Sequence, residues 1–179
     1  MKYLIKSVLT LIAVSLLTAV AAQTTGAYLK FEIEGKTITL KGADISSYNN
    51  FEAAEADVPA HNKHVLFVTD EHKQAYKLDL TIFTAAHTNP VVGKLPYVPS
   101  AYAANYPLPA ASFYLSRNVG GDYSVHSSRA NSKGAIEITK VANGWIEGKF
   151  EIDISHSYYD EQVIPITNGS FRFKIDKEM

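Results

Sequence analysis

Histidines are the first residues in this 179-residue sequence that could do chemistry. His61 and His64 are three residues apart in HNKH, and His72 follows a predicted strand, so a hairpin could bring two or three imidazoles together as zinc ligands. No carboxylate or further histidine stands at ligand spacing on a regular element, and histidines in polar loops are usually solvated. We therefore predict no metal site and no cofactor.

A second polar segment, EIDISHSYYDE, places His156 near Asp153, Asp160 and Glu161. A histidine with a carboxylate can act as a general acid or base if burial or neighbouring charges shift their pKa values. A hairpin turn collects the same residues without any activity, and Asp153 lies on the polar phase of its strand. The sequence has no Gly-x-Ser-x-Gly motif and no phosphate-binding glycine loop. We predict a non-enzymatic protein, with a hydrolase or metal-dependent enzyme as the alternative.

Aromatic side chains are a third candidate, because exposed rings stack on sugar faces or anchor protein partners. They occur in the proline-rich segment 85–111 and in predicted turns between the C-terminal strands. The candidate ligand-binding residues are Tyr97, Tyr102, Tyr106, Trp145, Tyr158 and Tyr159. We favour the alternative that the loop folds back and its tyrosines cap the core, because large rings contribute most when buried. If the rings are exposed, the predicted partner is a glycan or an envelope protein.

The N-terminus, MKYLIKSVLTLIAVSLLTAVAAQ, is typical of a secretory signal peptide. Two lysines precede an apolar run and small residues follow it, with Val20 and Ala22 placed as in a signal-peptidase site. The run is shorter than the ~20 residues of a spanning helix, which disfavours an uncleaved anchor. We predict a signal peptide at 1–22 and a single β domain at 23–179 that is exported, either periplasmic or secreted.

Charge and cysteine content limit the partners further. The formal charge of −1 becomes −3 when the two lysines of the signal peptide are removed, so no basic surface is expected for nucleic acid or anionic lipid. The absence of cysteine excludes disulfides, thiolate ligands and a lipid-modified cysteine. An exported chain without disulfides fits a bacterial envelope better than a small animal extracellular domain. We predict no nucleic-acid partner, no lipid anchor and no membrane span after cleavage.

Period-two alternation of apolar residues predicts that strands position these side chains. One hairpin is predicted across Gly35, and a second joins 64–70 to 74–84. Further strands are predicted in SFYLSR, DYSVHSS, GAIEITKV, WIEGKFEIDIS and VIPITNGSFRFKI. Residues 43–63 are predicted to be a loop with at most one helical turn, and 85–111, with five of the seven prolines, a long proline-rich loop.

This pattern predicts a mainly β fold, an antiparallel β-sandwich or partly closed barrel of about eight or nine strands. A small lipid-carrying barrel is a further alternative, which requires the sheet to close around a cavity. At Asn168-Gly169 we predict a two-residue hairpin that places the flanking apolar residues on one face, with a bulge in one long strand as the rival. At Asn143-Gly144 we predict a three-residue loop that includes Trp145.

Three strands begin alike, with a glycine followed by apolar residues at the second and fourth positions, at Gly134, Gly148 and Gly169. Together with VIPITNGSFRF, the run GAIEITKVANGWIEGKFEIDI resembles the C-terminal half of small secreted or lipid-anchored β-sandwich proteins of Gram-negative envelopes, a family of unknown function. The match covers roughly 112–175. The resemblance implies a fold and an envelope location but no activity, and this chain lacks the lipobox cysteine that many members carry.

Overall fold

The computed structural model describes residues 26–69, 76–102, 105–119, 122–159 and 161–175, so the predicted signal peptide lies outside the described residues. Within these ranges the chain forms eleven β-strands and one 3₁₀ helix, Gly42–Asp44, and no α-helix. The strands are β1 Tyr28–Ile33, β2 Lys36–Lys41, β3 Ile45–Glu52, β4 His61–Val68, β5 Tyr76–Ala85, β6 Gly93–Leu95, β7 Ala110–Val119, β8 Asp122–Ser127, β9 Gly134–Ala142, β10 Trp145–His156 and β11 Val163–Lys174. The predicted mainly β class is confirmed.

Nine of these strands form one continuous antiparallel sheet in the order β2-β1-β11-β10-β8-β7-β5-β4-β3. Its outermost strands, β2 and β3, are consecutive in the chain and are joined by only the three-residue 3₁₀ helix. Because neighbouring strands lie about 4.8 Å apart, so short a connection cannot span a flat sheet of this width. The sheet therefore curls into a half-barrel, and the Ser47 hydroxyl of β3 donates to the Lys174 carbonyl of β11 at 3.0 Å.

One edge of β10 is divided between two neighbours. Residues 145–152 pair with β9, and β6 in turn pairs with β9. β8 pairs with β10 only through Ser155 and His156, near the end of the strand. The sheet thus branches at β10, and the β8–β10 pairing is much shorter than the other pairings of the continuous sheet.

Phenylalanine rings fill the centre of the half-barrel. Phe31, Phe113, Phe150 and Phe171 are at most 2% exposed. Their ring centroids lie 6.4 Å apart for Phe31 and Phe113, 5.4 Å for Phe113 and Phe150, and 6.3 Å for Phe150 and Phe171. Such ring pairs add about 0.5–1.5 kcal/mol each beyond the effect of burial. The interior is therefore a packed core rather than a channel.

Two glycines make room for these rings. In the β10–β11 register, Gly148 lies opposite Phe171, and Gly169 lies opposite Phe150. A Cβ atom on Gly148 would overlap Cζ of Phe171 and lie 2.6 Å from the carbonyl oxygen of Glu137, and one on Gly169 would lie 2.5 Å from Cδ1 of Phe150. Each ring thus packs on the bare backbone of the opposite strand. This reciprocal pairing explains why the Gly-x-Phe pattern occurs in both β10 and β11.

The two Asn-Gly pairs differ from their predictions. β11 continues through Asn168-Gly169, so the predicted hairpin is wrong and the rival bulge is correct: Asn168 has φ of 50°, and the register with β10 shifts between Phe150 and Ile152. A bulge also changes the alternation by one residue, which is why sequence phase alone did not separate the two alternatives.

The turn at Asn143-Gly144 holds two residues rather than the predicted three, because Trp145 pairs with Ala142. Both turn residues have positive φ, 52° and 75°, as in a type I′ hairpin. The phase change that we assigned to a third loop residue comes instead from a bulge in β9, where the register with β10 shifts between Glu147 and Gly148.

The segment 43–63, predicted to be a loop, contains β3 and the beginning of β4. The strand β3 was not predicted because its sequence, ISSYNNFE, has polar side chains on both faces and so lacks the apolar alternation that marks the other strands. Asn49, for example, is buried at a position where the pattern would require an apolar residue.

Replacing Gly148 with Ala should lower the free energy of unfolding by about 1–3 kcal/mol, because the new methyl group overlaps Phe171. Gly26→Ala is the matched control, since a Cβ atom there would contact nothing within 4 Å. Chemical denaturation of both variants and the wild type measures the difference. Equal stability of the two variants would show that the glycine–phenylalanine pairing is not constrained.

Candidate functional site

The inward face of β4 changes from apolar to polar at one end of the half-barrel. Leu66 and Val68 belong to the buried core. Because side chains alternate along a strand, Asn62 and His64 lie on the same face, and both are buried. Asn49 of β3, directly opposite His64, is buried as well. The core therefore ends in a layer of amide and imidazole groups.

These buried groups form a hydrogen-bonded chain. The Thr84 hydroxyl donates to the Thr88 carbonyl at 2.7 Å and lies 3.1 Å from Nε2 of His64. On the other side of the ring, Nδ1 lies 2.8 Å from the side-chain amide oxygen of Asn49. Hydrogen bonds of this kind offset the cost of burying polar groups and hold their orientation. The layer is thus rigid before any ligand is present.

Asn62 fastens the turn that follows β5 to this layer. Its amide nitrogen donates to the Thr88 carbonyl at 3.2 Å, and its amide oxygen accepts from the backbone N–H of His87 at 3.4 Å. The His87 ring stacks on Phe51 of β3, with centroids 4.7 Å apart and planes 18° apart. Two contacts from different strands therefore fix the turn, which also carries Asn89.

A cavity of about 630 Å³ opens above the polar layer, and we call it the mouth cavity. Two imidazoles, of His64 and His87, line it together with the β9–β10 turn and Ile175. Five asparagines are among its lining residues: Asn49, Asn50, Asn62, Asn89 and Asn143. The Asn50 side chain lies on the opposite phase of β3 from Asn49 and donates to the Glu52 carboxylate at 2.8 Å, so its amide faces away from the cavity. No carboxylate, ammonium or guanidinium group is among the lining residues that the structure describes. The mouth of a barrel is a common position for a ligand site, and this one offers amide and imidazole hydrogen-bonding groups.

Sequence reasoning missed this cavity because it began the strand at His64 and assigned the preceding residues to a loop. A signal for it was present. Continuing the alternation backwards from Leu66 places His64 and then Asn62 on the core-facing phase. A buried polar residue on that phase needs partners, which here come from β3 and β5.

The three tyrosines of the proline-rich loop are packed against the sheet. Tyr97 is 6% exposed, and its hydroxyl donates to the Glu151 carbonyl at 3.1 Å. Burial raises the pKa of Tyr97, and the charge of Glu151 adds to the increase. Tyr102 and Tyr106 are half-buried in a second apolar cluster with Phe83, on the outer face of the sheet. The structure does not bring these three rings together around an open cleft.

The other three predicted aromatic residues lie at two separate places. Trp145 begins β10 and is half-buried beneath the guanidinium of Arg172, 4.4 Å from the ring centroid. Tyr158 and Tyr159 follow the opposite end of β10 and are 85% and 53% exposed. None of the three is among the residues that line the mouth cavity.

The candidate zinc ligands are divided between the two faces of the sheet. His64 points into the half-barrel. His61 is on the other phase of β4, and its ring centroid lies 4.7 Å from that of Tyr102 in the outer cluster. His72 lies outside the described residues. Across the described ranges, no group of three or more histidine, aspartate or glutamate side chains is arranged to hold a metal ion.

His156 is engaged by the backbone rather than by an acid. Its Nδ1 accepts a hydrogen bond from the Tyr158 N–H at 3.1 Å. Asp153 lies one strand position away from the buried Ile152 and Ile154, on the outward face. Asp160 lies outside the described residues, so the structure does not place the full predicted acid–base group.

His126 and His156 form a pair in the short β8–β10 contact. Their rings are 5.0 Å apart and nearly perpendicular. His126 is 2% exposed, and its Nδ1 has no hydrogen-bond partner within the described chain. The pKa of His126 is lowered to about 4, mainly by burial and also by the charges of His156 and Arg117, while Glu34 and a backbone hydrogen bond with Ser124 oppose the change. His126 is therefore neutral in the folded protein at neutral pH.

The pKa of His126 is about 4 in the folded chain and 6.5 in the unfolded chain, so between these pH values only the unfolded chain is protonated there. Folding should therefore become less favourable as the pH falls from about 6.5 to about 4. The expected loss in the free energy of unfolding is on the order of 3 kcal/mol, complete below pH 4. His126→Leu should flatten this part of the pH profile, whereas Asn131→Ala, an exposed turn substitution without a titrating group, should leave it unchanged. Denaturant unfolding at a series of pH values measures both variants, and a profile of His126→Leu that follows the wild type would assign the loss to other groups.

No helix in the described ranges is long and apolar enough to cross a membrane. Comparison with known proteins assigns no family: no family model, no curated protein and no solved structure matches the chain. The resemblance to the envelope family therefore stays a prediction from the C-terminal motifs.

Proposed function

We propose that this chain is an exported, non-enzymatic protein of the bacterial envelope that binds a small, uncharged polar ligand in the mouth cavity. The composition of that cavity carries the proposal: the side chains of four asparagines and two histidines line about 630 Å³, and no carboxylate, ammonium or guanidinium group is among the described lining residues. Cavities of this volume are of the size that holds small molecules.

The hydrogen bonds of the polar layer favour binding over catalysis. Both ring nitrogens of His64 and the hydroxyl of Thr84 already have partners. A general base must be within reach of a substrate proton, and a nucleophile must be activated by such a base. The side chains at the floor of the cavity therefore serve orientation and recognition better than proton transfer.

The same lining disfavours a lipid. An acyl chain would strip water from many amide groups without offering them hydrogen bonds, which is costly. The space that a lipid-carrying barrel would need is also occupied by the central phenylalanine rings.

The sequence-based proposal of a site in the 85–111 loop is kept in part, since His87 and Asn89 of that loop line the cavity.

Export is supported by the signal-peptide pattern of residues 1–22. When the full chain is produced in a Gram-negative host, the expected product in the periplasmic or medium fraction begins at Gln23. Changing both Lys2 and Lys6 to Glu removes the positive charge ahead of the apolar run and should leave precursor in the cell. Fractionation with N-terminal sequencing measures this outcome. A full-length cytoplasmic product from the unmodified chain would refute export.

Ligand retention should depend on the rim amides. The mature protein is incubated with a small-molecule extract of bacterial envelopes that has been separated into neutral, cationic and anionic fractions, and retained compounds are identified by mass spectrometry after ultrafiltration. We expect retention from the neutral fraction, and a marked reduction of it in the Asn89→Ala variant, because Asn89 lines the cavity and is exposed.

Asn131→Ala is the matched control, since Asn131 is exposed in a turn away from the cavity lining. It should retain the same compounds as the wild type. Exposed substitutions of this kind change stability by roughly 0.5 kcal/mol or less, so all three proteins should unfold alike. Retention that is equal in all of them, or that comes only from the charged fractions, would refute the proposed site.

A further inference from the structure

We infer that the ligand of the mouth cavity is a carbohydrate, bound through an uncharged sugar residue. The inference rests on the proposed function and names its ligand class. It combines the absence of carboxylate, ammonium and guanidinium groups from the described lining, the two rim amides of Asn89 and Asn143, the closed floor and the aromatic pair beside the turn after β5.

Charge limits the ligand first. A charged group that leaves water needs an opposite charge or several strong hydrogen bonds in return. The described lining offers amides, imidazoles and small apolar groups, and no carboxylate, ammonium or guanidinium. Uronic acids, amino sugars and phosphorylated sugars are therefore expected to bind less well than their neutral counterparts.

The rim amides then select for hydroxyl groups. Asn89 after β5 and Asn143 in the β9–β10 turn come from two separate elements, line the opening and are exposed. A side-chain amide has two N–H donors and an acceptor oxygen in one plane, and a hydroxyl group both donates and accepts. A sugar ring carries several hydroxyls in fixed directions, so it can satisfy amides from different sides at once.

The floor makes the cavity blind. The Asn49, His64 and Thr84 side chains are 8%, 2% and 2% exposed and are joined by hydrogen bonds. The aromatic core lies further inside, with Phe31 and Phe113 fully buried. A saccharide chain therefore cannot thread through the half-barrel, and the ligand is held at the outer opening.

The wall beside the opening provides a flat ring. His87 lines the cavity and stacks on Phe51, which is 39% exposed. Flat aromatic rings pack against the C–H faces of sugars. An extended peptide would instead be expected to pair with backbone groups at a sheet edge, whereas this cavity is lined mainly by side chains.

The test is a titration of ¹⁵N-labelled mature protein, followed by NMR. The neutral probes are the methyl glycosides of glucose, galactose and N-acetylglucosamine. Glucuronic acid and glucosamine are the charged probes, and N-acetyl-alanine methylamide represents a peptide. At least one neutral glycoside should shift the backbone resonances of Asn62, Asn143 and Gly144, and the charged sugars should bind more weakly.

The variants then localise the binding. Asn89→Ala should weaken glycoside binding by about fivefold, as expected for the loss of one hydrogen bond of about 1 kcal/mol. Asn131→Ala should not change it. Asn143→Asp is a second variant that tolerates the positive φ of the turn, and it should change affinity without unfolding the hairpin.

Failure of this inference can be told apart from failure of the proposed function. Cavity resonances that respond to the peptide probe but to no glycoside would overturn the carbohydrate class and leave a neutral ligand in the cavity. Glycoside shifts that persist unchanged in Asn89→Ala, or that map to the outer aromatic cluster, would overturn the assigned site. If no glycoside shifts any resonance, the carbohydrate inference is wrong, and the envelope-extract experiment decides the function separately.

Discussion

The whole half-barrel depends on how closely β10 and β11 approach each other. Phe150 and Phe171 each occupy the place that a side chain on the opposing glycine would take, which brings the two rings to 6.3 Å and joins them to the central series. A bulge lies at the same point in the register, and bulges bend and twist a strand. Because β11 and β10 are the third and fourth of the nine strands in the continuous path, the curl that brings the edges together passes through this contact.

The filled centre determines where a site can be. With rings occupying the middle of the half-barrel, space remains for a ligand at the end, where the inward phase of β4 carries Asn62 and His64. Those groups are buried, so each must find partners within the protein. The chain satisfies them with Asn49, Thr84 and the turn after β5. The requirement that stabilises the buried groups thereby also orients the lining of the cavity.

Much of this fold could be predicted from the sequence, because period-two alternation marks most strands and does not depend on distant partners. The strand phases of β1, β5 and β10 follow from their apolar residues alone. The Asn168-Gly169 bulge could not be distinguished from a hairpin, since both shift the alternation by one residue. β3 was missed because its inward positions include Asn49, whose burial makes sense only with His64 opposite it. We chose the candidate ligand contacts because their side chains are aromatic. An aromatic side chain can lie on either face of a sheet, and its identity alone does not reveal which.

The two ends of β10 have opposite physical characters. At its beginning, the Asn143-Gly144 turn closes a long β9–β10 pairing and forms one wall of the mouth cavity. The other end lies roughly 35 Å away along the strand, by the usual rise per residue. There only two residue pairs join β10 to β8, and one of them is the pair of His126 and His156. Protonation of His126 therefore weakens the short β8–β10 pairing and does not affect the amide groups of the cavity. Acid should therefore loosen the sheet first where its pairing is shortest, because the long β9–β10 pairing keeps the cavity wall in place until the sheet as a whole unfolds.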